Sequence, residues 1–129
     1  MKHIMLASIF FVFGAFIANA QSTEKITWKE KDAFHEVMSK TFHPAQEGKF
    51  DPIRSRSAEM FQKALAWQES KAPASIDRAG LAVKFDELVK GANALNKLVL
   101  DKADNATIMK SLTALHDVFH SIVEKCEEK

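Results

Sequence analysis

The stretch "IMKSLTALHDVFHSIVEKC", Ile108 to Cys126, decides the fold. Its apolar residues Ile108, Leu112, Leu115, Phe119, Ile122 and Cys126 stand four, three, four, three and four apart. That rhythm puts all six on one stripe of an α-helix, since side chains three and four apart lie above one another on the same face. The same spacing runs through Leu81, Phe85, Leu88, Ala92, Leu95 and Val99. Two helices that each carry one narrow apolar seam must bury it against further helices, which is the pattern of a bundle.

Working upstream, two more helices are predicted. Thr27 followed by Glu30 reads as a capping box, and Phe34, Val37, Met38, Thr41 and Phe42 then recur at helical spacing until His43-Pro44 is expected to stop them. The connector "HPAQEGKFD" leads to Asp51 as an N-cap and Pro52 at the first helical position. Met60, Phe61, Ala64, Leu65 and Trp67 follow, and Pro73 closes the segment. Asp104 is the expected N-cap of the last helix. The chain therefore reads as all-α, with helices over about 28–42, 52–71, 77–100 and 105–127. Short connectors and the absence of strand patterns predict one antiparallel up-down-up-down four-helix bundle over residues 21–129.

Ahead of the bundle stands "MKHIMLASIFFVFGAFIANA", with Lys2 at its start, an apolar run from Ile4 to Ile17, and Ala18 and Ala20 at its end. A basic start, a short apolar core and an A-x-A close are the marks of a cleaved secretory signal over residues 1–20. The apolar run falls short of the roughly 20 residues that span a bilayer. The expectation is a periplasmic or secreted chain beginning at Gln21, with no membrane insertion after cleavage.

Lys2 is the only Lys, Arg, Asp or Glu among the first twenty residues, so 17 of the 18 basic side chains remain beside all 17 acidic ones. A neutral chain of interspersed charges has no basic footprint for nucleic acid and no polybasic membrane patch. Cys126 is the single cysteine. It cannot close an intramolecular disulfide, and its place on the apolar stripe reads as a buried thiol.

Histidines carry the candidate chemistry. His116 and His120 project to one side of helix four, as His35 and Met38 do on helix one. If helices one and four are antiparallel neighbours, Met38 stands level with His116 and His35 with His120, to within about one turn. Imidazole suits copper, zinc, nickel and iron, and a thioether adds affinity for copper(I) or haem iron. His43 ends helix one, where a cation meets the negative end of the helix dipole. Glycine-rich phosphate loops, H-E-x-x-H and nucleophile–base pairs are missing from the sequence, so no enzyme is expected. Asp117 or Glu36 is placed to orient a histidine from behind.

An exported bundle with Met38 in helix one and "LTALHDVF" in helix four resembles the cytochrome c prime family and its soluble b-type relatives. In c-type members a C-x-x-C-H motif occupies this helix. Here His116 takes the histidine place, Asp117 and Phe119 follow it, and Leu112 and Leu115 replace the two cysteines. Thioether attachment needs those cysteines, so the resemblance implies non-covalent haem b held by His116 with Met38 as second axial ligand, in electron transfer. His35 and His120 have no place in that pattern and fit a transition-metal ion held by His35, His116 and His120. A third reading is a cofactor-free bundle acting as a structural or interaction module. A redox partner or a second copy of the chain would be the matching partners.

Overall fold

The computed structural model describes residues 26–127, and the signal sequence expected over residues 1–20 lies outside them. It is all-helical, with no strand among the described residues: α1 spans Lys29–Gln46, α2 Asp51–Glu69, α3 Ala82–Leu100 and α4 Asn105–Glu127. A single 3-10 turn, Ala79–Leu81, leads into α3. No helix among the described residues is long and apolar enough to cross a membrane.

The four helices form a bundle around the stripes read from the sequence. Phe34, Val37, Met38 and Phe42 of α1, Met60, Ala64 and Trp67 of α2, Phe85, Leu88, Ala92 and Leu95 of α3, and Ile108, Leu112, Leu115, Phe119 and Ile122 of α4 are all buried. At the ends of the two seams, Val99 and Cys126 are only partly buried and pack against this core. Burial raises the Cys126 thiol above its ordinary pKa, which leaves it protonated near neutrality.

Polar ties link consecutive helices. Trp28 Nε1 donates to Ser70 Oγ at 2.8 Å, joining the start of α1 to the end of α2. Arg56 of α2 holds Glu36 of α1 at 3.0 Å and Glu59 on its own helix at 2.8 Å. Ser57 Oγ bonds Asn96 Oδ1 at 2.9 Å, and Arg54 reaches Ala103 O and Asn105 Oδ1 at 2.8 and 2.9 Å. Thr41, the buried hydroxyl of α1, is satisfied by Val37 O one turn back. The closest backbone approaches are many between α1 and α2, α2 and α3, and α3 and α4, and few between α1 and α4. That last seam is spanned by rings instead.

Several helix ends depart from the sequence reading: α3 opens at Ala82 rather than at about residue 77, behind the Ala79–Leu81 3-10 turn, and α2 ends at Glu69 rather than at about 71. α1 does not stop at His43-Pro44 but runs on to Gln46. Ala45 is buried and extends the apolar face past the proline, which offsets the one backbone bond that Pro44 cannot donate. The stop comes at Gly48, whose φ of +82° closes a turn in which Gly48 N–H bonds Ala45 O and Lys49 N–H bonds Pro44 O. The N-cap of α1 is Trp28, with no side-chain cap bond, rather than the Thr27 box. For α2 the N-cap is Phe50, so Asp51 lies inside the first turn. Asp104 does cap α4, accepting the Thr107 N–H at 2.8 Å.

α3 ends as α1 does, with Lys102 N–H on Val99 O and Ala103 N–H on Leu98 O. Here the left-handed position is filled by Lys102, at φ 54°, where a side chain costs about 1 kcal/mol that glycine avoids. Lys102→Gly is therefore expected to raise the thermal midpoint, with the backbone entropy of an added glycine limiting the gain to less than that figure.

The caps and ion pairs also set a pH dependence. Hydrogen bonds from Thr107 hold the Asp104 carboxyl below its usual range, and those from Lys40 and Arg56 do the same for Glu36. A carboxylate depressed by folding contributes stability above its unfolded pKa and loses it as pH falls through the folded value. Stability should thus decline as pH is lowered below about 4. Asp104→Asn, which keeps an accepting oxygen but cannot titrate, should flatten part of that decline in a plot of thermal midpoint against pH.

Candidate functional site

The α1–α4 seam gathers every histidine of the described residues: His35 and His43 on α1, His116 and His120 on α4. His116 is partly buried, its ring lying flat on Phe42 with centroids 3.9 Å apart and planes 13° from parallel. One turn further along α4, His120 is exposed and meets the His116 ring nearly at right angles. Their Nε2 atoms are 3.1 Å apart. The i,i+4 spacing explains why the rings meet, and the close Phe42 stack, together with partial burial, favours the His116 orientation.

That separation has two chemical readings. Without an ion, one neutral imidazole donates its Nε2–H to the lone pair of the other. With an ion, metal–imidazole bonds of about 2.0–2.1 Å place two nitrogens on adjacent coordination positions about 2.8–3.4 Å apart. The observed 3.1 Å falls inside this range, and an ion shared by both nitrogens requires the rings to turn their Nε2 lone pairs from each other toward one point. Burial, followed by the charge of His120, pushes the His116 pKa below its ordinary value. His116 is then neutral near pH 7, the state a metal ligand requires. Asp117 Oδ1 lies 4.0 Å from Nδ1, the ring nitrogen other than the one that meets His120.

The other sequence candidates are placed differently. His35 is exposed and stacks on Phe119, centroids 5.3 Å apart and planes 7° from parallel, beside the pair but not joined to it. His43 is exposed, with Nδ1 at 3.2 Å from Gln46 Oε1. Met38 is fully buried in the core. Among the described residues no group of three or more His, Cys, Asp or Glu side chains is set to hold a metal ion. The structure thus brings together His116 and His120, and leaves His35 and Met38 apart from them. The rings that fix the geometry, Phe42 and Phe119, read in the sequence only as core positions.

A haem would need His116 Nε2 to face the space between α1 and α4, and it would need that space to be open. Instead Nε2 faces His120, and Phe42 covers a face of the imidazole. Phe34 and Phe119 meet across the seam with centroids 5.6 Å apart, both buried. The residues as placed do not fit a haem.

No protein-family model, no curated protein and no solved structure matches this chain. Its functional reading therefore rests on the chemistry of the seam.

Proposed function

We propose that this chain is an exported, non-enzymatic four-helix-bundle protein that binds a transition-metal ion at the α1–α4 seam, with His116 and His120 as the chelating pair. The observation that carries the proposal is the 3.1 Å separation of their Nε2 atoms, with His116 held in place by Phe42. Copper(II), nickel and zinc are the matching ions, because each accepts neutral imidazole and none requires a thiolate. The two nitrogens leave coordination positions to be filled by solvent, by a further side chain or by cargo. A carrier or buffer of metal ions outside the cytoplasm is the activity that such a partly open site serves.

The bundle order that belongs to this reading is up-down-up-down. It is supported by ties that join the start of α1 to the end of α2, and by rings that pair residues 34 and 35 with 119 and residue 42 with 116. In that order the end of α4 rises beside the start of α1, and the histidine pair opens sideways to solvent through His120.

Isothermal titration of the chain from Gln21 with zinc tests the proposal. One ion per chain is expected, and His120→Ala should bind it about tenfold or more weakly. His120 is exposed, so that change removes a ligand without opening the core. Equal binding by the parent and His120→Ala would contradict the proposal.

A further inference from the structure

We propose that His35 swings off Phe119 to become the third ligand of the ion held by His116 and His120, so that metal binding clamps α1 to α4. The inference rests on the metal-binding reading above and extends it from one helix to two.

Three observations support it. His35 and His120 flank the same ring, Phe119, with centroids 5.3 and 5.5 Å away. The His35 imidazole is exposed, and among the described residues its nitrogens have no hydrogen-bond partner, so rotating it costs one stack and no polar contact. By contrast His43 already bonds Gln46 at 3.2 Å, and its ring rests on Phe42 rather than on Phe119.

Height along the bundle also favours His35. The ring contacts of residues 34, 35 and 42 bracket the stretch from 116 to 119, which puts His35 within about one to two turns of the 116–120 pair. Two imidazoles on one helix leave a tetrahedral ion short of the three or more protein ligands usual for zinc. His35 is the imidazole of α1 with no hydrogen bond among the described residues, and it shares Phe119 with His120.

A consequence follows for the fold. The α1–α4 seam has the fewest close backbone approaches of the four, so it is the seam that a cross-link changes most. An ion bonded to His35 on one side and to His116 and His120 on the other supplies that link. The metal-free bundle is then the looser form, and the loaded one the tighter.

The test uses zinc alone as probe, with the parent chain and the single variants His35→Ala, His43→Ala, His116→Ala and His120→Ala. X-ray absorption at the zinc edge should count three imidazoles in the parent and in His43→Ala, but two in His35→Ala. Zinc affinity should fall about tenfold or more in His35→Ala and stay at the parental value in His43→Ala. Amide exchange in α1 should slow on adding zinc to the parent and remain unchanged in His35→Ala. Parental affinity and an unchanged imidazole count in His35→Ala, with binding weakened in His116→Ala and His120→Ala, would overturn the third-ligand inference and leave the chelating pair standing. Undiminished binding in all four variants would overturn both.

Discussion

Replacing Trp67 by Ala should cost about 3–5 kcal/mol of stability, the largest loss expected from any single change in the core. Trp67 is fully buried and touches rings from three other elements. Phe85 and Trp28 meet it edge-on, with centroids 5.0 and 5.7 Å away, while Phe34 and Phe119 lie tilted against it at 5.7 and 5.9 Å. Truncation to Ala would leave a cavity bordered by four large rings, and rigid aromatic walls collapse poorly into such a space. A single domain holds only about 5–15 kcal/mol in all, so the midpoint of urea unfolding should fall by roughly a fifth or more.

Trp67→Phe separates volume from hydrogen bonding. The Nε1–H of Trp67 is buried and has no hydrogen-bond partner among the described residues. Deleting an unsatisfied donor relieves a penalty, so this variant should lose less than half as much as Trp67→Ala. Trp28→Phe is the useful contrast, because it breaks the 2.8 Å bond to Ser70 Oγ and leaves that end of α1 without its tie to α2. Equal losses in the Phe and Ala variants at position 67 would show that the indole N–H has a partner after all.

The second large effect is on metal affinity. His116→Ala and His120→Ala should each weaken zinc binding by about tenfold or more, and the double variant should bind little worse than either single one. The non-additivity comes from chelation: once one nitrogen of the α4 pair is lost, the chelate ring is broken and the second loss costs less than it would alone. Residues that act as a unit show such coupling in a double-mutant cycle, whereas independent contributors add. Additive losses would mean that the two rings bind separate ions. His116→Phe serves as a packing control, since it keeps a flat ring against Phe42 while removing the ligand.

Helical content and most of the core were legible in the sequence because they depend on spacing. The stripes through Leu88 and Leu115 read directly as buried faces, and they are buried. The end of α1 was not legible. Proline reads as a stop, yet the buried Ala45 carries the apolar face past Pro44, and a glycine turn four residues later ends the helix. Trp28, Ile53 and Ser57 escaped notice as core members because their burial depends on which neighbour faces them.

The same division runs through the site. Spacing put His116 and His120 on one side of α4, and no spacing rule could add that their Nε2 atoms meet, because that depends on the rotamers fixed by the Phe42 stack. Nor did the sequence reveal that Phe34 and Phe119 fill the seam where a haem would sit. Side-chain size at those two positions was visible. Its direction was not.

The central claim concerns two atoms, and nitrogen NMR of the histidine rings reads them directly. With uniformly 15N-labelled chain from Gln21, adding one equivalent of zinc at neutral pH should move the Nε2 resonances of His116 and His120 together, with saturation at one ion per chain. His43 should stay where it was. Unmoved Nε2 resonances at both positions after a full equivalent would contradict the account and return the pair to a simple hydrogen bond between neighbouring turns of α4.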